Sequence, residues 1–415
     1  MTMTSDPATA PLPLAPSGAR RLLAAGAEAS HESHVRTFGP LPVREAGAML
    51  AQLELSGLAG RGGAGFPAWR KLAAAAAAGA HRRRGHAPIV IANGSEGEPL
   101  SWKDQVLLQN APHLVLDGML TAARSVGARN ILLFVGSHSL AAVQRAIAER
   151  PDARNVEVVE AADSFIAGEA SAVVNAIASG DPRPMDRTVR LTDAGLRGRP
   201  TLVNNVETLA HVGLVARYGG DWFRSVGSPE EPGTRLITVS GDASRTGVVE
   251  VATDATLLQV LSAAQVDIRR VSAALVGGYH GAWIPASAFG LRLTSSDLSA
   301  FDAQPGAGIV HVIGDHRCGL DATAEIVGYL AGQTARQCGP CMFGLPTMAD
   351  RFSALAHGED ATENAVELLR LSDLVVGRGA CHHPDGTVRL IRSALHVFRA
   401  DIDAHARGLC TRSPR

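Results

Sequence analysis

Between residues 43 and 56 the stretch REAGAMLAQLELS sets apolar side chains at helical spacing, then runs into five glycines within positions 57–65, which no helix interior tolerates. A loop therefore separates this helix from an alanine-rich one beginning near Pro67, where proline suits a first turn. Downstream the periodicity alternates. APIVIAN (87–93), NILLFVGS (130–137) and VEVVEA (156–161) read as buried strands, while HLVLDGMLTAARSVG (113–127), SLAAVQRAIAER (139–150) and GEASAVVNAIAS (168–179) read as helices. Such alternation implies an α/β fold, a parallel sheet with helices on its faces. The region 181–228, with two Gly/Pro/Arg clusters, is irregular and is expected to wrap this first domain. RLITVSG, GVVEVA, TLLQVLSAA, VSAALVGG and GAWIPAS (235–287) then read as two strands, a helix and two strands, a small α+β module. From about 315 the pattern is helical almost to the end, broken at CGPC (338–341) and GRGACHHPDG (377–386).

A chain of 415 residues has room for roughly two to four such domains. With 39 basic against 40 acidic residues and 4% aromatics, nothing points to nucleic acid or an anionic membrane surface as partner. HRRRGH (81–86) reads as a solvated loop after a helix. The opening MTMTSDPATAPLPLAPSGAR lacks the basic start and apolar core of a signal peptide and reads as a disordered leader. LAAAAAAGA (72–80) is too short to span a bilayer, so a cytoplasmic protein without membrane insertion is expected. All five cysteines (Cys318, Cys338, Cys341, Cys381, Cys410) fall in the last quarter, which suggests a cofactor and not disulfide staples.

GRGGAGFP (60–67) places unobstructed backbone amides before a helix, an arrangement that cradles a phosphate or forms a plain tight turn. It is not a Walker loop, because Leu72 follows Arg70-Lys71 where a hydroxyl is needed. Nor is it a good dinucleotide fingerprint, because no strand directly precedes it. NGSEGEP (93–99) puts Asn93, Glu96 and Glu98 at the carboxyl edge of a strand, a ligand position in open α/β sheets or a solvated acidic turn. NNVET (204–208) offers two side-chain amides and a hydroxyl, or simply a capped helix start. QCGPC (337–341) fits a redox dithiol poorly in helical surroundings. With Cys381 and one of His382, His383 or Cys318 it fits a zinc or an iron-sulfur site, and spacing alone does not choose between them.

Taken together, GRGGAGFP, NGSEGEP, AGEA (167–170), NNVET and QCGPC with Cys381 occur in an order that resembles the NADH- and FMN-binding flavoprotein subunit of respiratory complex I, shared with NAD-linked hydrogenases and formate dehydrogenases. The similarity runs from about residue 40 to 408. It implies a Rossmann-like FMN domain (41–228) after a leader (1–40), a ubiquitin-like β-grasp or SLBB module (229–310) and a C-terminal helical bundle with an iron-sulfur site (311–415). By position, Gly60, Arg61, Gly62 and Lys71 would hold the ribityl-phosphate side of FMN. Asn93, Glu96 and Glu169 would line the flavin, and Asn204, Asn205 and Thr208 would close on the phosphate. Glu96 takes the catalytic role, its charge disfavouring added negative charge on the flavin. The family moves a hydride from NADH to FMN and single electrons onward to a cluster, the cofactors carrying the chemistry.

Departures from the family pattern fall mainly on the nucleotide side. Ser95 replaces an aspartate, Ala170 a glutamate, and alanines follow Lys71 where the family has aromatics; DPRPMDRTVRLTDA (181–194) lacks the family's Phe and Lys. Ala335 stands at the first position of the C-x-x-C-x-x-C cluster motif, leaving Cys338, Cys341 and Cys381 as metal ligands. Three thiolates fit a 3Fe-4S cluster, or a 4Fe-4S cluster completed by Cys318, His382 or His383, with Cys410 an incidental thiol. The expectation is an electron-transfer flavoprotein subunit working with a ferredoxin-like partner and a nicotinamide nucleotide or substitute donor. The competing readings are a non-catalytic scaffold paralogue and a zinc-stabilised protein.

Overall fold

The computed structural model describes residues 20–80, 87–162, 164–185 and 189–410. The first 19 residues of the expected leader, HRRRGH (81–86) and part of the 181–194 segment lie outside the described residues. Two compact units emerge, one comprising residues up to Ile237 with Gly247–Ala255, the other Thr238–Thr246 with Thr256–Arg415. The division therefore falls within a strand near 237, where domain ends at 228 and 310 were expected.

In the first unit, α1 (His31–Phe38), α2 (Ala46–Ser56) and α3 (Ala68–Ala80) precede β1 (Ile89–Gly94), α4 (Lys103–Asn110) and α5 (Pro112–Val126). Then follow β2 (Asn130–Val135), α6 (Ser137–Ala148), β3 (Val156–Glu160), α7 (Ala170–Ser179), β4 (Thr201–Asn205) and α8 (Val206–Arg224). The four strands form an all-parallel sheet in the order β3-β2-β1-β4. Alternate residues feed two apolar layers: Val90, Ala92, Leu133 and Val135 on one face, Ile89, Ile91, Leu132 and Phe134 on the other. Burial on both faces is why these strands read as continuous apolar runs.

Two expectations are corrected here. The region 181–228 is not merely an irregular wrap: it supplies the edge strand β4 and the 19-residue α8, most of whose residues are buried. TLVNN is a five-residue strand behind Pro200, and α8 mixes glycines into its apolar face, so neither period stands out. The leader does not extend to residue 40 either. Ser30 caps α1, and the backbone amides of Arg21, Leu22 and Leu23 all donate to the buried Glu250 carboxylate, 2.9–3.1 Å away.

Asp117 on α5 anchors this N-terminal segment. Its Oδ2 lies 2.7 Å from both His34 Nε2 and Arg217 Nη2, and its Oδ1 accepts from Arg150 Nη1 at 2.7 Å. Burial raises the Asp117 pKa, but the bond from His34 and the charges of Arg217 and Arg150 outweigh it and hold it down at about 2. The carboxylate thus stabilises the fold above its ordinary 3.8, and that stabilisation is lost as pH falls toward 2.

The second unit takes the end of β5 (Thr234–Gly241), whereas β6 (Gly247–Ala252) lies in the first. It continues through α9 (Leu257–Ala263), β7 (Val271–Val276), β8 (Ala282–Pro285), α10 (Ser295–Leu298) and β9 (Ile309–Gly314). β9 pairs parallel with β5 and antiparallel with β7, which pairs antiparallel with β8. IVHVIG, absent from the expected strands, is therefore a central one. Helices α11 (Gly319–Gly332), α12 (Leu345–Ala356), α13 (Ala361–Val375), α14 (His383–Val397) and α15 (Arg399–His405) complete the unit, with a π-helical turn at Pro340–Gly344.

Asp117→Ala would leave two guanidinium groups buried without their carboxylate. It is expected to cost about 3–5 kcal/mol, read as a lowered urea midpoint; an unchanged midpoint would remove this cluster from the account of the fold.

Candidate functional site

The strand order places a switch point at β1. Strands β2 and β3 lie to one side of it and β4 to the other, so a crevice opens beyond the carboxyl ends of β1 and β4, where open α/β sheets bind ligands. Asn93 and Asn205 stand opposite one another at those ends, with Asn204 beside them. The glycine loop meets this point: Arg61 N donates to Thr208 Oγ1 at 2.8 Å, and a Cβ on Gly62 would sit 3.0 Å from that of Asn205. Only glycine gives the loop that approach. Lys71 Nζ donates to Val203 O of β4 at 2.8 Å.

The acidic turn is pinned from both sides. Gly97 approaches so closely that a Cβ there would lie 2.4 Å from Ser164 O. Asn93 donates through Nδ2 to Gly168 O at 2.9 Å and accepts the Ser95 hydroxyl at Oδ1, also at 2.9 Å. Glu96, in a left-handed conformation (φ 47°), accepts from Ser101 Oγ, Asp104 N and Gln105 N at 2.7–2.9 Å, so its carboxylate binds the start of α4. Glu169 caps α7, accepting from Ser171 N at 2.7 Å and Ala172 N at 3.2 Å. Asn205 caps α8 through Glu207 N at 3.0 Å, so the capped-helix reading of NNVET also holds.

Among the described residues, Asn204 Nδ2 is a buried donor at this point without an acceptor, while the buried Arg61 guanidinium turns away to donate through Nη2 to Pro232 O at 3.2 Å, its Nε unpaired there. Burial and the neighbouring Arg235 lower the Arg61 pKa to about 9 against Glu207 and Glu231, so the guanidinium is still charged at neutral pH. An unpaired buried donor at the strand ends beside a glycine loop fits an anionic, phosphate-bearing group such as that of FMN.

In the second unit, Cys338 enters the π-helical turn, Cys341 within it is buried, and Cys381 precedes α14. Burial pushes the Cys341 thiol up to about 12, with its hydrogen-bonded neighbour Cys338 and the nearby Cys381 adding to the shift; only the Ala335 amide opposes it. Cys338 and Cys381 thus both act on the Cys341 thiol, and three cysteines are a donor set that fits an iron-sulfur cluster. Of the proposed fourth ligands, Cys318 lies instead with His405 and Cys410. His383 is engaged at both nitrogens, Nδ1 with His280 Nε2 at 3.0 Å and Nε2 with Leu330 O at 2.9 Å. His382 is exposed, its Nδ1 3.7 Å from Asp385.

Comparison with known proteins bears on both sites. Residues 53–214 match the family described as the Nuo51 FMN-binding domain, and residues 321–405 the NADH-ubiquinone oxidoreductase-F iron-sulfur binding region. The F 2 subunit of the NADH-quinone oxidoreductase of Rhizobium meliloti is 28% identical over 369 residues, covering 84% of this chain and 86% of that protein. The corresponding F subunit of Mycobacterium bovis is 29% identical over 378 residues, covering 85% and 83%. A solved chain of an NAD+-reducing nickel-iron hydrogenase in its H2-reduced state superposes with a TM-score of 0.77 at 29% identity over 87% of this chain.

Over most of its length the chain is similar to the complex I flavoprotein subunits, matching their FMN-binding and iron-sulfur binding regions. It spans 63% of the hydrogenase chain it matches. Within this flavoprotein frame, the residues that the sequence reading missed are Lys103, Asp104 and Glu207. Lys103 Nζ, buried, lies 2.7 Å from Asp104 Oδ1, 2.9 Å from Glu207 Oε2 and 3.3 Å from Asn205 Oδ1. Asn205 Nδ2 donates to Asp104 Oδ2 at 2.6 Å, and Leu236 N donates to Glu207 at 2.8 Å. The available signal was the Lys-Asp pair directly after the acidic turn and the glutamate inside NNVET.

One cation here faces three carboxylates. Burial works against the Lys103 ammonium, yet Asp104, Glu207 and Glu96 raise its pKa and keep it charged. The surplus of negative charge appears at Asp104: burial, with Glu96 and Glu207, outweighs Lys103 and lifts its pKa from 3.8 to about 7. The stability Asp104 contributes is then complete below its unfolded value and declines as pH rises through about 7. Compared with the native flavoprotein, Asp104→Asn should gain relative melting temperature as pH is raised from about 4 to about 8. A difference independent of pH would show that Asp104 does not titrate in that window.

Proposed function

We propose that this chain is an electron-transfer flavoprotein subunit that binds FMN at the β1/β4 switch point and an iron-sulfur cluster at Cys338, Cys341 and Cys381. It would take electrons from a nicotinamide nucleotide or a substitute donor and deliver them to a ferredoxin-like iron-sulfur subunit in the cytoplasm. Among the described residues no helix is long and apolar enough to cross a membrane. The observation that carries the reading is the unpaired buried donor Asn204 Nδ2 at the end of β4, where the glycine loop closes on the strand ends through Arg61 N and Thr208.

Bound FMN supplies the two-electron to one-electron conversion. The chain supplies its placement. Gly60, Arg61 and Gly62 would frame the phosphate side, with Lys71, Asn204, Asn205 and Thr208 around them, while Asn93 would shape the edge facing the flavin. Glu96 and Glu169 are assigned a positioning role, each holding a helix start in place.

The chain purified anaerobically should carry close to one FMN with iron and sulfide. Asn204→Ala should weaken FMN binding by about tenfold, the loss of a hydrogen bond to a charged group. A colourless protein with no affinity for FMN would overturn the reading.

The cluster makes a second expectation. The oxidised native chain should show the EPR signal of a three-iron cluster, and Ala335→Cys should convert it to a four-iron one. A four-iron signal already in the reduced native chain would show that another ligand already fills the corner at Ala335. Bleaching of the flavin by NADH in rapid mixing would exclude the scaffold reading, which the replacement at Ala170 otherwise favours.

A further inference from the structure

Three residues of the helical unit come together without belonging to the sites above. Cys318 is buried at the N-cap position of α11, His405 is the buried last residue of α15, and Cys410 is exposed five residues further on. A built turn brings the last of these back. Gly408 adopts φ 71°, its N–H donates to His405 O at 2.9 Å, and Leu409 N donates to Ala404 O at 3.0 Å. This is a left-handed helix terminus that reverses the chain onto its own last turn.

We propose that Cys318, His405 and Cys410 form a binding site for a thiophilic divalent cation of the Zn2+ class, separate from the Cys338, Cys341 and Cys381 set. The ligand atoms all lie within 4.8 Å of one another, and Cys318 Sγ is 3.6 Å from His405 Nε2. A tetrahedral zinc with Zn–S of about 2.3 Å and Zn–N of about 2.0–2.1 Å sets its S···N edge at about 3.6 Å and its S···S edge at about 3.8 Å. The buried pair therefore already stands at the coordination spacing, and only the exposed Cys410 has to close, by about 1 Å or less. Two thiolates and an imidazole select zinc-like metals over Mg2+ or Ca2+. The solvent side leaves the fourth corner to water. Such an ion would fasten the C-terminal turn to the start of α11, and zinc found in the purified protein would not by itself describe the CGPC site.

The test uses the full chain with Cys338→Ser, Cys341→Ser and Cys381→Ser, which removes cluster absorbance. One equivalent of Co2+ should give a thiolate charge-transfer band and the intense visible bands of tetrahedral cobalt, displaced by Zn2+. Adding Cys410→Ser should weaken Co2+ binding at least tenfold, and adding Cys318→Ser should abolish the charge-transfer band. The cysteines otherwise intact, Zn2+ should raise the melting temperature of the native chain more than that of Cys410→Ser, a surface change that leaves folding measurable. The proposal is overturned by cobalt spectra insensitive to Cys318 and Cys410, by a zinc response of the native chain that Cys410→Ser does not reduce, or by a Cys318–Cys410 disulfide in place of metal in the anaerobically isolated chain. Because flavin is read separately, failure here leaves the electron-transfer proposal standing.

Discussion

The Lys103 ammonium is the interaction on which the arrangement of the candidate flavin site depends. It is almost wholly excluded from water, and a buried charge persists only when it is paired and hydrogen-bonded. Its partners come from different parts of the chain: Asp104 at the start of α4, and Asn205 and Glu207 at the junction of β4 and α8. Glu207 in turn accepts the amide of Leu236, and Glu96 holds the next two amides of α4. One cation thus ties the acidic turn after β1 to the end of β4, the two rims of the switch-point crevice. Removing it would leave three carboxylates repelling one another, where breaking even one buried pair costs about 3–5 kcal/mol.

On this frame the glycine loop needs little of its own. Its amide at Arg61 finds Thr208, and Gly62 rests against Asn205, a residue already fixed by Lys103 and Asp104. The loop's position is inherited from the network, and beside it the buried Asn204 Nδ2 on β4 is a donor that the protein itself does not satisfy.

How much of this was legible in the chain depends on where periodicity and chemistry coincide. The strands β1 and β2 are covered on both faces and helices α3 and α5 to α7 carry an amphipathic stripe, so they stand out as apolar runs of the right length. β4 and β9 did not, because TLVNN ends in two asparagines and IVHVIG carries a buried histidine. The motif residues at the site were named from their order along the chain, but what each side chain does was not visible there. Glu96 and Glu169 read as flavin contacts in sequence, and the structure adds that their carboxylates hold the starts of α4 and α7. Lys103 looks like a surface lysine and is buried, since charge pairing across more than a hundred residues leaves no local pattern.

The departures from the family pattern follow the same physical division. Ser95 donates its hydroxyl to Asn93, so the aspartate it replaces leaves no unsatisfied group behind. Ala170 opens a helix that Glu169 already caps, so no side chain is needed there. Ala335 keeps the contact with the Cys341 sulfur through its backbone amide, which no substitution other than proline removes. Each of these three changes falls where the backbone or a neighbour takes over the hydrogen bonding, whereas at Lys103, Asp104, Asn205 or Glu207 a single loss would strand buried charge. The nucleotide side of the site can therefore drift in sequence at little cost to folding, while the flavin side is held by the protein's own electrostatics.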